Sequence, residues 1–302
     1  MTPRGPNFFL AGAAKSGTTT LYEALRSHPD VYLPAPKEPH VYAYLADPST
    51  ASHLFTDERA ARRWYRELYA GVGEETAVGD GSTTNLVVPG AAEAIARDVP
   101  DGRVVVILRH PVDRAFSHFC HFVTTGGEDV DDFAEAVRSE AARQAQGFPF
   151  TYRYLGWSRY AGQLRPFVEL FGRDRVLVHL FDDLCADPEA VVRTTLRFLG
   201  VDDAGPLPPV GRHNVVRAPT TAPAGVRRLF RGRRDGNRRP PARPSLDPAV
   251  RAELTAAFED EIRGLEELID RDLTAWRGAV GVTPAGEPPP RPPAVVEPGP
   301  TA

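Results

Sequence analysis

The apolar positions of this chain fall into two alternating textures. Five stretches are short, continuous and rich in β-branched or aromatic residues: 7–10 (NFFL), 31–33 (VYL), 76–80 (TAVGD), 103–108 (RVVVIL) and 175–181 (RVLVHLF). Runs of that length bounded by turn residues read as buried strands. The run at 103–108 is the most complete, closed by Asp-Gly on one side and Arg-His-Pro on the other, as expected in the middle of a parallel sheet. Between these runs apolar residues recur at helical spacing over 18–27, 57–69, 112–123, 130–144, 158–171 and 188–199. A last stripe, Leu254, Phe258, Ile262 and Leu265, predicts one helix over 248–268. Threonines at the start of 18–27 are N-cap candidates. Residues 34–40 (PAPKEPH) carry three prolines within six residues and cannot be helical. Strands alternating with helices predict an α/β fold, a P-loop-like doubly wound sheet, mostly parallel, with helices on both faces.

After Gly200 the texture changes. Residues 203–246 are rich in Pro, Gly and Arg and lack periodicity, and 281–302 form a Pro-rich tail expected to be disordered. The organisation expected is one domain over 1–280, with 203–246 as a loop segment within it. The 302 residues, 42% hydrophobic and 25% charged, suit one large α/β domain. A net charge of −4 gives no case for nucleic acid. The charge is uneven, however: 212–243 holds ten arginines and one acid, Asp235, so it carries +9 against −13 for the remainder. That segment reads either as a solvated loop or as a contact for an anion or a membrane surface. The two cysteines, Cys120 and Cys185, form no metal or disulfide framework and are expected to be buried thiols of a cytoplasmic protein. His118 and His121 share one helix face but have no third ligand nearby, which favours packing over zinc. No run is long and apolar enough to span a membrane, and no oligomeric state is implied.

Candidate chemistry begins at 10–25 (LAGAAKSGTTTLYEAL), a glycine-bearing turn between a strand and a helix. Such a turn aims backbone N–H groups at one centre, and the helix N-terminus adds positive potential, so an anion binds there. An ATP-binding loop reads G-x-x-x-x-G-K-[ST]. Here Thr18 stands in the lysine's place and Lys15 lies inside the loop. The strongest later strand ends in Arg109, not in the acid that would hold magnesium. Arg109 sits where open parallel sheets bind ligands, with Ser117 eight residues on, a pair suited to a second phosphate. The competing reading pairs Arg109, or Arg114, with Asp113.

The motifs AKSGTTTLYEAL, KEPH, VVVILRHPVDRAFSHF and YAGQLRPFVELFGRDRVLVHLFDDLCADPEAVVRTTLRFLGV together resemble the sulfotransferases, in particular the branch holding the heparan-sulfate sulfotransferase domains and bacterial relatives. The resemblance runs over about residues 5–215. It implies 3′-phosphoadenosine 5′-phosphosulfate (PAPS) as donor, converted to 3′,5′-adenosine bisphosphate, and no metal. It further implies that Lys15, Ser16, Gly17, Thr18 and Thr19, with Thr20 beside them, hold the 5′-phosphosulfate, and that Arg109 and Ser117 hold the 3′-phosphate. Arg212, His213 and Asn214 resemble a late loop closing over the donor. Glu38 matches the family's catalytic base, with Lys15 as electrostatic partner and His40 orienting Glu38, contacting the acceptor, or simply bonded to backbone.

One departure from the family pattern stands out. Members often read G-E-K-[ST]-P-x-Y after the third strand, whereas this chain has Gly79-Asp80-Gly81-Ser82-Thr83-Thr84-Asn85. Loss of the lysine argues against a highly anionic glycosaminoglycan acceptor. A carbohydrate, glycolipid or small-metabolite hydroxyl, or an amine, remains open. Tyr42, Tyr44, Phe148, Phe150, Tyr152, Tyr154 and Trp157 are candidates to line the acceptor pocket or to be core. Two rival readings are a nucleotide or small-molecule kinase, which would need Mg²⁺, and a nucleotide-binding module without catalysis.

Overall fold

The computed structural model describes residues 4–207 and 244–278. The Arg-rich segment with Arg212, His213 and Asn214, and the tail 281–302, lie outside the described residues. Five strands, β1 (Phe8–Gly12), β2 (Val31–Tyr32), β3 (Ala77–Asp80), β4 (Arg103–Leu108) and β5 (Val176–Leu180), form one sheet in the order β2-β3-β1-β4-β5, and every pairing is parallel. β1 and β4 lie side by side at the point where the winding changes direction, with Phe9 opposite Val104.

Alternation along the strands builds two cores, because successive side chains leave a strand on opposite faces. Phe9, Ala11, Val104, Val106 and Leu108 face one layer of helices. That layer holds α2 (Val41–Ala46), α3 (Glu58–Leu68), α5 (Ala91–Asp98), α6 (Pro111–Thr125) and α9 (Tyr160–Phe171). Phe8, Leu10, Val105 and Ile107 face α1 (Thr18–Arg26) and α11 (Pro188–Leu199). The doubly wound parallel sheet expected from the sequence is therefore the fold.

Two long helices expected from periodicity are interrupted. The stretch 130–144 is α7 (Phe133–Arg138) and α8 (Glu140–Ala145), divided at Ser139. The stretch 248–268 is α12 (Pro248–Ala257) and α13 (Glu259–Ile269), divided at Phe258, whose ring enters the core. Four short helices have no strong periodic signature: α2, α4 (Thr84–Val87), α10 (Phe181–Ala186) and α14 (Thr274–Arg277). Cys120 is buried as expected; Cys185 is exposed, contrary to expectation, because it sits on the outer face of the short α10.

Candidate functional site

In an all-parallel sheet every strand ends at the same edge, so the segments after the five strands gather there. These are the turn 13–17 after β1, the proline-rich loop 33–40 after β2, the segment 81–83 after β3, Arg109 after β4, and Phe181 at the start of α10. Every candidate donor-site or catalytic residue within the described part of the chain comes from one of these segments, or from α1 and α6, which two of them open.

The turn after β1 is shaped by backbone conformation. Lys15 (φ 68°) and Gly17 (φ 90°) both lie in the left-handed region. Gly17 is required there twice over, because a Cβ would also fall 2.5 Å from Leu184 Cδ2. Gly17, not a threonine, is the N-cap of α1, and among the described residues no side-chain cap is made at that end. The first-turn N–H groups are thus unclaimed by capping side chains, and no acid lies in the first turn. Thr18 and Thr20 are buried and Thr19 is half-buried. The Ser16 hydroxyl is fully buried and has no hydrogen-bond partner among the described residues.

Arg109 joins this turn. Its guanidinium donates to the Lys15 carbonyl at 3.3 Å and stacks over the Phe181 ring at 4.7 Å. It is not paired with Asp113, which is held by Arg251 at 2.9 and 3.1 Å. Arg114 is not paired with Asp113 either: it is wholly buried and donates to Ser158 Oγ and the Tyr154 carbonyl. Ser117 is half-buried on α6, the helix that starts just after Arg109. His121, one turn further on that face, and His118 both feel the Lys15 charge. His121 is exposed as a residue, but atoms crowding its ring, then Lys15, push it down to about 4, and burial with Arg114 and Lys15 holds His118 well below the usual imidazole range. His118 packs among Phe122, Tyr154 and Trp157. Among the described residues no cluster of three or more His, Cys, Asp or Glu could hold a metal.

The second half of the site is templated by the segment after β3. Glu38 (φ 65°) and His40 (φ 58°) are both left-handed. Glu38 Oε1 accepts from Lys37 Nζ at 2.6 Å, Oε2 accepts from the Thr83 N–H at 2.7 Å, and the Thr83 hydroxyl reaches both oxygens at 3.1 Å. The His40 N–H donates to Ser82 Oγ at 2.9 Å, and its ring Nδ1 lies 2.8 Å from Thr84 Oγ1 and 4.0 Å from Glu38 Oε2. Burial lowers the His40 pKa, against the pull of Glu38, so the ring is neutral at neutral pH. Ser82 is fixed in turn by Asp80, which accepts from the Ser82 N–H at 2.8 Å and from the Tyr65 hydroxyl at 2.6 Å. This Tyr65–Asp80–Ser82 chain was not singled out from the sequence, and no spacing rule reveals it.

Gly81, where the family pattern has lysine, packs against an aromatic wall: a Cβ there would meet the Tyr22 ring at 2.6 Å. Lys37 Nζ lies over that same ring at 5.7 Å, and the Tyr22 hydroxyl donates to the Pro34 carbonyl. Among the candidate pocket aromatics, Tyr42, Tyr44 and Tyr154 are core residues and Trp157 is buried. Phe148 is exposed, and Phe150 and Tyr152 are half-buried.

Comparison with known proteins matches residues 6–205 to the model described as "Sulfotransferase family". Carbohydrate sulfotransferase 15 of Rattus norvegicus is 24% identical over 253 residues, covering 67% of this chain and 44% of that protein. Heparan sulfate glucosamine 3-O-sulfotransferase 3A1 of Mus musculus is 26% identical over 196 residues, covering 65% of this chain and 46% of its own length. The chain therefore spans less than half of these curated relatives. The crystal structure of a sulfotransferase from Alicyclobacillus acidocaldarius is 33% identical with a TM-score of 0.74, covering 91% of this chain and 100% of that one.

Proposed function

The chain belongs to the sulfotransferase family, and from that premise we propose that it is a sulfotransferase that moves a sulfuryl group from PAPS to a hydroxyl, or an amine, of a carbohydrate, glycolipid or small metabolite, with Glu38 as general base. One observation carries the reading. The uncapped start of α1 with Lys15, the Arg109 guanidinium and the Glu38 carboxylate are gathered at one sheet edge from three different strands. The residues fit the donor: the buried Ser16 hydroxyl lacks a protein partner at the turn where the phosphosulfate would sit. Lys15, Gly17, Thr18, Thr19 and Thr20 complete that subsite, while Arg109 and Ser117 suit the 3′-phosphate.

The donor supplies an activated sulfur–oxygen–phosphorus linkage. Glu38 takes the acceptor's proton on Oε2, the oxygen not paired to Lys37. The acceptor oxygen forms its bond to sulfur as the bond from sulfur to the phosphate oxygen breaks, and 3′,5′-adenosine bisphosphate departs. Lys15 and the first-turn N–H groups of α1 meet the charge on the sulfuryl oxygens and the leaving phosphate. Lys37 and Thr83 hold the carboxylate in place, while the neutral His40 ring beside it is itself held by Thr84.

The test pairs binding with turnover. 3′,5′-Adenosine bisphosphate is expected to raise the melting temperature, and ATP with Mg²⁺ is not. Glu38→Gln is expected to lower kcat by about 10²–10⁴-fold while leaving bisphosphate binding intact. Equal stabilisation by both nucleotides would favour a kinase, and loss of bisphosphate binding in the variant would make Glu38 structural.

A further inference from the structure

Asn85 is 1% exposed, yet neither its amide nitrogen nor its amide oxygen has a hydrogen-bond partner among the described residues. Leaving a buried polar group unpaired forfeits its hydration with nothing in return, so native proteins seldom keep one without a use. Gln163 offers a contrast. Its oxygen is also unpaired, but its nitrogen is anchored on the Gly156 carbonyl, which fixes the side chain for packing. Asn85 has no such anchor.

Its position supplies the use. On α4, Thr84 bonds the His40 ring, Leu86 lies over Gly12 at the end of β1, and Val87 packs on the small core of Ala43, Val88 and Ala91. Successive helical residues are turned by roughly 100°. Asn85 therefore occupies the sector between the His40 side and the Gly12 side, turned away from Val87. One flank of that sector is the His40 ring, 4.0 Å from Glu38 Oε2, and the other is Gly12, which leads into the turn bearing Lys15.

Building on the sulfotransferase reading, we infer that Asn85 is a specificity-determining residue that pairs with the acceptor beside its reacting hydroxyl, and that the acceptor is a neutral vicinal diol. A carboxamide offers one donor face and one acceptor face, which a neighbouring hydroxyl satisfies at both ends. A carboxylate or sulfate on the acceptor satisfies only the donor and sets its charge against the amide oxygen. Position 81 is glycine, and the lysine beside it, Lys37, is already engaged by Glu38 at 2.6 Å, so that charge is not offset there.

The experiment uses three probes with PAPS as donor: methyl glucopyranoside, methyl glucuronopyranoside and cyclohexanol. The wild-type protein should prefer the neutral polyol to each of the others by at least about tenfold in kcat/KM, since a site built to bond a hydroxyl discriminates strongly against analogues that lack it. Asn85→Leu should bring polyol and cyclohexanol to within about twofold of each other. It should leave bisphosphate affinity unchanged and the melting temperature equal or higher, because an unpaired buried amide is gone. A preference unchanged in Asn85→Leu overturns the inference. So does a large fall in melting temperature with the preference kept, which would mark Asn85 as the holder of a structural water. Asn85→Ala, which removes the amide without added bulk, guards against steric blockage and should give the same levelling. Bisphosphate binding with no transfer to any probe refutes the neutral-diol acceptor alone, whereas absence of bisphosphate binding refutes the sulfotransferase donor reading beneath it.

Discussion

Among the described residues only four non-glycine residues adopt positive φ, and three of them are Lys15, Glu38 and His40; the fourth is Asp270. Such conformations cost free energy and persist where surrounding contacts over-determine them. For Glu38 and His40 those contacts are explicit: Thr83 N–H on the carboxylate, Ser82 Oγ under the His40 N–H, and Thr84 on the imidazole. Ser82 is therefore a positioning residue whose loss should be felt in turnover. Ser82→Ala is expected to lower kcat by roughly tenfold, the equivalent of one hydrogen bond of about 1.4 kcal/mol, and to leave the dissociation constant for 3′,5′-adenosine bisphosphate within about twofold. Steady-state kinetics beside calorimetric titration would show it; an equal loss in both would mean the whole site had shifted. Lys15, Arg109 and Ser117 were legible as candidates because charge and hydroxyl near strand ends carry a chemical meaning in sequence, whereas Glu38 was legible only through the family resemblance. Asp80, Ser82 and Asn85 were not, because their importance lies in which buried groups they bond or leave unbonded.

At the scale of elements, the five strands were readable because each is an unbroken apolar run too short for a helix. The helices fared according to length. The 12-residue α11 lies where its periodicity put it, whereas α2 and α4, of six and four residues, are held by tertiary contacts with one another and with α5. Periodicity also continued across Ser139 and Phe258, where the chain changes direction without disturbing the apolar spacing. The segment after β3 shows the limit most clearly. From sequence, Gly81 is a missing lysine; in the fold it is the only residue type that clears the Tyr22 ring, which is tied to the proline-rich loop through Pro34. Gly81→Ala is accordingly expected to destabilise the protein by about 1–3 kcal/mol, the usual cost of overpacking. Chemical denaturation would measure it, and pairing the change with Tyr22→Leu should recover part of the loss. An undisturbed midpoint in Gly81→Ala would mean that the ring yields freely.

At the scale of the whole molecule, five of the described histidines are coupled to folding through burial. His40, His110, His118, His121 and His179 are all held below the ordinary imidazole value of 6.5, in each case first by burial. His179, 6% exposed and bonded to Thr195 Oγ1 at 2.9 Å, is pushed down to about 4. Between its folded value and 6.5 such a histidine binds more protons in the unfolded chain than in the folded one. Stability is then fully present above pH 6.5 and is lost as pH falls through that window. At roughly 1.4 kcal/mol per pH unit, His179 alone contributes on the order of 3 kcal/mol by pH 4. His121 adds less, since it lies at the surface and solvent screens it. Asp80 acts in the opposite sense, because burial raises its pKa and its protonation on acidification favours the folded state. One such acid is outweighed by five histidines. Glu128 is buried and Asp113 and Asp183 are half-buried, but Arg143, Arg251 and Arg271 outweigh the desolvation and hold them below the carboxylate range, so their share is lost only at still lower pH. The melting temperature should therefore fall steadily between pH 6.5 and 4 at constant ionic strength, and His179→Gln should flatten the slope measurably. A flat profile over that interval in the wild-type protein would mean that the buried imidazoles titrate as they do in the unfolded chain.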